Sequence, residues 1–182
     1  MLRAKNAWVG GLTVAALTGL AGCELVGLPL GGGLDNLALM AEAEQIVQAT
    51  YPRATLIELH GNPSGGTATT AADIDQLRFI FDEDSDAPAG ATIILEYADG
   101  AFGDPVKVEQ GWVGTMYERL PRDMSLDQAV LLMRLAGHAE PFTAVTLRKP
   151  LTFPVPDEAS YMFTQAGQFV LVGVESGEVT TE

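Results

Sequence analysis

Five consecutive residues, Asp82-Glu83-Asp84-Ser85-Asp86, bring oxygen-bearing side chains together in a way that could bind calcium. A helix-loop-helix calcium loop that begins at Asp82 needs glycine at its sixth position and a bidentate glutamate at its twelfth. The chain has Ala87 and Ile93 at those two places. We therefore interpret the run as a solvated hairpin tip whose charges discourage edge aggregation, and we predict no metal site.

The two histidines, His60 and His138, are the imidazoles that catalysis or zinc binding could use. Catalytic zinc needs about three protein ligands, and neither histidine lies in a His-Glu-x-x-His pattern. Ser64 follows His60 closely, but it lacks the Gly-x-Ser-x-Gly sequence that exposes a nucleophilic serine. We predict surface roles for both histidines, no catalytic residue and no cofactor. The alternative is a hydrolase that uses the carboxylates around Asp84.

Two aromatic residues stand in contexts that favour a binding role. Trp112 lies between Gly111 and Val113, and Phe153 lies in a proline-rich stretch that cannot pair regularly in a sheet. Aromatic side chains that project from stiff loops can anchor a partner. Trp112 and Phe153 are therefore the candidate exposed binding anchors, and the other aromatics are expected to pack in the core.

Residues 1–22 have the three parts of a secretory signal. Arg3 and Lys5 occur without an acid, an apolar run extends from Ala7 to Leu20, and small residues follow. The run is shorter than the roughly 20 residues that span a bilayer. We expect the signal to be cleaved.

The single cysteine, Cys23, ends the sequence Leu20-Ala21-Gly22-Cys23, which resembles the lipobox of bacterial lipoproteins. The resemblance implies cleavage before Cys23, a diacylglycerol on its thiol and acylation of the new amino terminus. Two or more acyl chains hold a protein stably at a bilayer, whereas one does so only marginally. The alternative is an ordinary cleaved signal with a free cysteine, which is a liability in an oxidising compartment.

Processing at Cys23 would remove Arg3 and Lys5, which changes the formal net charge from −14 to −16. A body this acidic repels phosphate backbones and anionic headgroups, which excludes a nucleic-acid binder. The lipid, and not surface charge, is therefore expected to hold the protein at the membrane. Glu24 occupies the place where aspartate commonly retains lipoproteins of diderm bacteria in the inner membrane. The resemblance therefore implies the outer membrane, facing the periplasm. Residues 23–36 are expected to form a flexible, lipidated tether.

Hydrophobic periodicity predicts the elements that position these residues. In a first unit, residues 37–120, apolar positions at three- and four-residue steps predict an amphipathic helix from Leu37 to Tyr51, stopped by Pro52. β-rich or alternating segments predict strands at 55–60, 77–82, 92–97 and 106–116.

The second unit, residues 121–182, repeats this order. Ser125 and Gln128 form a capping-box pattern that starts a helix, and Gly137 ends it. Strands are predicted at 142–148, 160–164 and 168–175, with a turn at Ser176-Gly177. The chain is thus predicted to be α+β, with two helix-plus-antiparallel-sheet repeats (αβββ-like). Local matches, such as Thr55 to Leu59 beside Thr143 to Leu147, leave both a duplication and a chance likeness open.

The second unit also resembles a PepSY domain. The likeness rests on the Ser125 helix start, on Tyr161-Met162-Phe163, and on the strand Phe169 to Val174 running into Ser176-Gly177-Glu178-Val179. The family usually has threonine where Ser176 stands. Tandem units of this kind are also similar to the β-lactamase-inhibitor-protein architecture, although a fold does not fix a function.

The sequence is therefore expected to encode a membrane-anchored periplasmic lipoprotein. It would act as a non-enzymatic module that binds or inhibits an envelope protein or binds a cell-wall component, attached to the lipid bilayer through Cys23. An envelope hydrolase and a structural envelope-assembly lipoprotein are the alternatives. The residues expected to form the core are Ile46, Val47, Leu77, Phe79, Ile94, Val130, Met133, Val145, Phe163 and Val172.

Overall fold

The computed structural model describes residues 35–83, 90–113, 116–150 and 157–182. These ranges form two α-helices, one short 3-10 helix and nine strands of an antiparallel sheet, which confirms the α+β class. The elements are α1 (Asn36–Thr50), β1 (Thr55–Asn62), the 3-10 helix (Ala71–Asp73), β2 (Gln76–Asp82), β3 (Thr92–Ala98), β4 (Ala101–Phe102), β5 (Val106–Val108), α2 (Leu126–Leu135), β6 (Phe142–Arg148), β7 (Ser160–Gln165), β8 (Gln168–Gly173) and β9 (Val179–Thr181).

Capping residues set the ends of both helices. Asp35 caps α1 by accepting a hydrogen bond from the Ala38 amide at 3.0 Å. Ser125 and Gln128 form the predicted capping box of α2, because each side chain accepts from the other residue's backbone N–H. Beyond α2, Gly137 has a φ of 98°, a left-handed conformation that glycine adopts without strain.

The strands pair in the order β4-β3-β2-β1-β6-β7-β8-β9, and β5 also pairs with β3. The first strands of the two units, β1 and β6, are thus neighbours at the centre of the sheet. Both helices pack on one face, where α1 lies against β3 and α2 lies against β8. The opposite face, here called the second face, carries no helix among the described residues.

A bulge in each central strand directs its apolar residues toward the helices. The pairing of β1 with β2 shifts at Ile57, and the pairing of β6 with β7 shifts at Thr143. Strand side chains normally alternate between faces, so residues three apart point to opposite sides. Each bulge adds one residue and allows Leu56 and Leu59, and likewise Phe142 and Val145, to share the core face.

Most of the predicted core is confirmed. Eight of the ten residues named are buried, whereas Ile46 and Ile94 are only half-buried. Ile94 pairs with Ile80 and points to the second face, away from the helices. The core face of β3 instead carries Ile93 and Leu95, and a run of β-rich residues does not show which of its two faces the helices cover.

A buried asparagine joins the amino-terminal ends of both helices. Asn36 is 1% exposed; its amide donates to the Tyr161 hydroxyl and its oxygen accepts from the Leu126 amide, both at 2.9 Å. Tyr161 in turn donates to the Met124 carbonyl at 3.0 Å. Desolvation raises the pKa of Tyr161, so its hydroxyl stays protonated and able to donate. Asn36 was predicted to be the last residue of the tether, but it is the first residue of α1.

The acidic run differs from its prediction at its first residue. Asp82 ends β2 and is only 4% exposed, so the expectation of a wholly solvated tip is wrong there. Glu83 is bound by Lys107 at 2.9 Å. Asp84, Ser85 and Asp86 lie outside the described residues.

Two strand boundaries also differ. The strand predicted at 106–116 ends at Val108, because the chain turns there and the Gln110 amide bonds to the Val108 carbonyl. The short strand β9 lies beyond the predicted turn at Ser176-Gly177. Glu158 holds that turn by accepting from the amides of Glu175 and Ser176 at 2.7 and 3.0 Å.

Neither α-helix in the described ranges combines the length and apolar character needed to cross a lipid bilayer.

Candidate functional site

A row of polar side chains crosses the second face of the sheet. Glu96 on β3 pairs with Arg78 on β2, which pairs with His60 on β1, which pairs with Thr146 on β6. Directly opposed residues on neighbouring strands point to the same face. The register of four strands therefore brings together residues that are far apart in sequence.

His60 is held from both sides of its ring. Its Nε2 lies 2.5 Å from Oε1 of Glu58, and its Nδ1 lies 3.2 Å from the Thr146 hydroxyl. Glu58 is 1% exposed, whereas the His60 side chain is 34% exposed. A buried carboxylate thus fixes an imidazole that reaches solvent. His60 was predicted to end a strand, whereas β1 continues to Asn62.

This carboxylate-imidazole-hydroxyl arrangement can position a proton but lacks one requirement for acyl transfer. If Nε2 donates to Glu58, then Nδ1 can accept from Thr146, which is the carboxylate-imidazole-hydroxyl order of nucleophilic triads with the two ring nitrogens exchanged. An oxyanion also needs free donors. Thr146 lies in the centre of the sheet, paired with His60 and Met162, so the backbone amides beside it are used by strand pairing. The geometry therefore favours orientation of His60 over catalysis by Thr146.

Two buried polar atoms next to His60 have no hydrogen-bond partner among the described residues. They are Oε2 of Glu58 and the indole N–H of Trp112, whose ring lies edge-on to His60 with centroids 6.4 Å apart. A buried donor or acceptor without a partner costs about 1–3 kcal/mol. Such costs are concentrated at functional sites more often than elsewhere. His60 is thus the centre of the candidate site.

The loop that carries Trp112 is fastened at two points. The Thr92 hydroxyl donates to the Gln110 carbonyl at 2.6 Å, and the Tyr117 hydroxyl donates to the Trp112 carbonyl at 2.5 Å. These bonds hold the loop backbone at Trp112, and the residue is half-buried. Trp112 was predicted as an exposed anchor; in the structure it is half-buried and lines a groove.

That groove has a volume of about 480 Å³ and is open to solvent. Its size falls within the roughly 300–1,000 Å³ of small-ligand sites. Arg78 and Glu96 form an ion pair across it, with Nη2 and Oε1 2.8 Å apart. The polar side chains of the second face that contribute to its lining are His60, Asn62, Gln76, Arg78 and Glu96, and Trp112 joins them from its loop.

The remaining candidate residues are not at this groove. Ser64 hydrogen-bonds to Asp75 rather than to His60, and His138 follows α2 at a half-exposed position. Cys23 and Phe153 lie outside the described residues, so both remain predictions. Within the described ranges, no three His, Cys, Asp or Glu side chains cluster as metal ligands.

Sequence reasoning missed Glu58 and Thr146 as partners of His60. One signal was present, because Glu58 and His60 are two residues apart in a predicted strand and must share a face. Thr146 carried no such signal. Its position beside His60 depends on the pairing of β1 with β6, which joins segments 86 residues apart.

Comparisons of the chain with protein-family models, curated proteins and solved structures find no significant match.

Proposed function

We propose that this chain is a lipid-anchored module of the bacterial envelope, attached through Cys23, that binds another envelope component without catalysing a reaction. The observation that carries the binding role is the groove around His60 and Trp112. It combines a rigidly held imidazole, a half-buried indole and an ion pair in one open concavity.

The buried polar atoms support a binding role over a purely structural one. If the sheet had only a structural role, an apolar residue would be expected at the position of Glu58, because burying a carboxylate costs folding free energy. Glu58 instead orients a ring that faces solvent. Its burial therefore makes sense if the exposed edge of His60 must meet a ligand in one fixed orientation.

The anchor is proposed from the lipobox-like sequence before Cys23. Helix α1 begins at Asn36, and the segment from Cys23 to Asp35 could extend at most about 45 Å at the contour length of a polypeptide. Such a reach would allow the groove to meet partners near the membrane surface. On the resemblance discussed above, Glu24 favours the outer membrane facing the periplasm.

We also propose that the two units arose by duplication and that the second is PepSY-like. The inward-facing positions of the helices recur at a constant separation of 86 residues, which is also the separation of His60 and Thr146. The bulge residues Ile57 and Thr143 share it, so this alignment replaces the sequence-based match of Thr55 with Thr143. The matched helix positions are Met40, Ala43, Glu44 and Val47 in α1 and Leu126, Ala129, Val130 and Met133 in α2. This alignment places His60 opposite its own counterpart, Thr146, at the β1–β6 pairing.

The anchor is tested by the mass of the protein extracted from the membranes of a diderm bacterial host. The expected species begins at Cys23 and carries acyl chains, whereas Cys23→Ser should abolish the modification and release the protein from the membrane fraction. Glu24→Asp serves as a sorting control and should shift the protein toward the inner membrane. An unacylated wild-type product cut elsewhere contradicts the anchor.

The binding role is tested by crosslinking in intact envelopes, followed by identification of the crosslinked component. Trp112→Ala should reduce the yield of a specific adduct strongly, and Phe153→Ala should do so if that residue is a second anchor. Phe169→Ala is the matched control, because Phe169 is exposed on β8 and does not line the groove. Equal yields from the Trp112 and Phe169 variants would show that the groove does not bind.

An envelope hydrolase is the second candidate, and the contacts between Glu58, His60 and Thr146 favour it. The sequence-based version of that alternative uses the carboxylates around Asp84; Asp84 and Asp86 lie outside the described residues, and neither Asp82 nor Glu83 lines the groove. Hydrolysis of a simple activated ester by the purified chain, lost in both His60→Gln and Thr146→Val, would establish this candidate. Activity that persists in both variants would come from elsewhere.

A further inference from the structure

We infer that the groove beside Trp112 binds a neutral saccharide segment, such as a glycan strand of the cell wall. This inference rests on the proposed function and names the ligand class of the same groove. Three properties of the lining support it, namely its charge, its hydrogen-bonding groups and its aromatic surface.

The charges at the groove compensate one another locally. Arg78 is bound to Glu96 through both Nε and Nη2, at 3.1 and 2.8 Å, and His60 lies against Glu58. A strongly anionic ligand would meet an arginine already engaged by a carboxylate. It would also meet the field of an acidic body with a formal net charge of −14. A basic ligand would find no carboxylate that is both accessible and unpaired among the described lining residues.

The hydrogen-bonding groups that remain are mixed donors and acceptors on planar side chains. Asn62 and Gln76 are exposed cross-strand neighbours, and each amide offers both an N–H donor and a carbonyl acceptor. Arg78 still has an Nη1 donor, and Glu96 still has an Oε2 acceptor, since their contact uses Nε, Nη2 and Oε1. A sugar hydroxyl both donates and accepts. The adjacent hydroxyls of a sugar ring therefore match these mixed donors and acceptors better than a ligand that carries charge of only one sign.

The indole of Trp112 supplies the apolar part of the site. A pyranose ring presents C–H groups on its faces and hydroxyls around its rim, so it can pack on an aromatic ring while its rim reaches polar side chains. Trp112 is half-buried at the groove, and its backbone carbonyl accepts a hydrogen bond from the Tyr117 hydroxyl. A loop whose backbone is ordered before binding loses little conformational entropy when the ligand arrives.

The backbone beneath the groove argues against an extended peptide as the occupant. Peptides often bind by adding a strand to a free sheet edge. The groove lies over β1, β2 and β3, and each of these strands has pairing partners on both sides. A peptide there would have to rely on side-chain contacts alone.

The test uses the fluorescence of Trp112, because Trp8 is the only other tryptophan and lies in the leader. The chain, purified from membranes in detergent, is titrated with soluble β-1,4-linked oligomers of N-acetylglucosamine. Parallel titrations use a lysine-rich peptide of similar length and inorganic phosphate. We expect a saturable change with the oligosaccharide and none with the peptide or phosphate. If Trp8 is retained, Trp8→Phe restores a single reporter.

Matched variants locate the binding. Glu96→Gln should weaken oligosaccharide binding about tenfold, as expected for the loss of a charge-assisted hydrogen bond. Glu178→Gln is the control, because Glu178 is exposed near β9 and away from the groove. Arg78→Gln should act like Glu96→Gln, and circular dichroism checks that both variants are folded.

Absence of a saturable change overturns the inference, as does binding that Glu96→Gln and Arg78→Gln leave intact. Saturable binding of the lysine-rich peptide instead would also overturn it and would favour a protein partner. The mass of the amino terminus is measured independently. A failed saccharide titration therefore leaves the lipid anchor standing, and a missing anchor leaves the saccharide result standing.

Discussion

Replacing Asn36 with alanine should destabilise the whole fold, because this one buried side chain connects α1, α2 and β7. Its oxygen accepts from the Leu126 amide and its nitrogen donates to Tyr161, both at 2.9 Å. The Leu126 amide is one of the amino-terminal groups that α2 cannot satisfy within its own helix. Loss of Asn36 leaves this amide buried without its acceptor.

The expected magnitude follows from those two contacts. A buried unsatisfied amide costs about 1–3 kcal/mol, and a typical hydrogen bond contributes about 1 kcal/mol. Tyr161 keeps its bond to the Met124 carbonyl, so its hydroxyl is not stranded. Asn36→Ala should therefore lower the free energy of unfolding by about 2–4 kcal/mol, a large part of the roughly 5–15 kcal/mol that stabilises a domain.

Urea unfolding followed by far-UV circular dichroism measures this change. Asn62→Ala is the matched control, because Asn62 is an exposed asparagine, and it should change stability by less than about 0.5 kcal/mol. A double-mutant cycle with Tyr161→Phe should show a coupling of at least about 0.5 kcal/mol with Asn36→Ala. Equal stabilities of the Asn36 and Asn62 variants, or strictly additive effects in the cycle, would refute the reasoning.

Two further predictions concern the turn before β9 and the centre of the sheet. Desolvation raises the pKa of Glu158, but hydrogen bonds from Ser176 and the Glu175 amide outweigh it, so the net pKa lies below the ordinary 4.5. The ionised Glu158 therefore contributes stability above pH 4.5, and this contribution is lost as the pH falls through the lower folded-state pKa. Glu158→Gln should cost about 1 kcal/mol at neutral pH and progressively less in acid, as urea unfolding at several pH values would show; a pH-independent difference would contradict this sign. Gly61→Ala should cost about 1–3 kcal/mol, because its Cβ would lie 2.9 Å from side-chain atoms of both Ile74 and Val145. Gly65→Ala, with open space around it, is its control in thermal unfolding, and equal melting temperatures would show that the sheet yields at Gly61.

Local patterns predicted the elements well where one short segment contains the whole signal. The capping box of Ser125 and Gln128 fixed the start of α2, and the glycine after it fixed the end, because both depend on neighbouring backbone groups. The strand predicted at 106–116 was too long, because β5 ends at Val108 and alternation alone does not show where a strand loses its pairing partner. The two bulges were also missed. A bulge is a property of the pairing between strands and not of one strand's sequence.

The candidate site was only partly accessible to sequence reasoning. Trp112 was singled out from its loop context, and the structure places it at the groove. His60 was assigned an ordinary surface role because neither the burial of Glu58 nor the neighbouring Thr146 is visible in a linear pattern. Even the spacing of Glu58 and His60 says only that they share a face, and the sheet's packing decides which face is covered.

The amino-acid sequence by itself determined the helix and strand types, the α+β class and the strongly acidic charge. These depend on residue composition, on periodicity and on capping groups within a few residues of one another. The tertiary structure alone decided that β1 and β6 meet at the centre, that Glu58 is buried beneath His60 and that four strands align their polar residues into one row. The physical reason is that cross-strand register and burial arise from contacts between distant segments, whose energies no single segment contains.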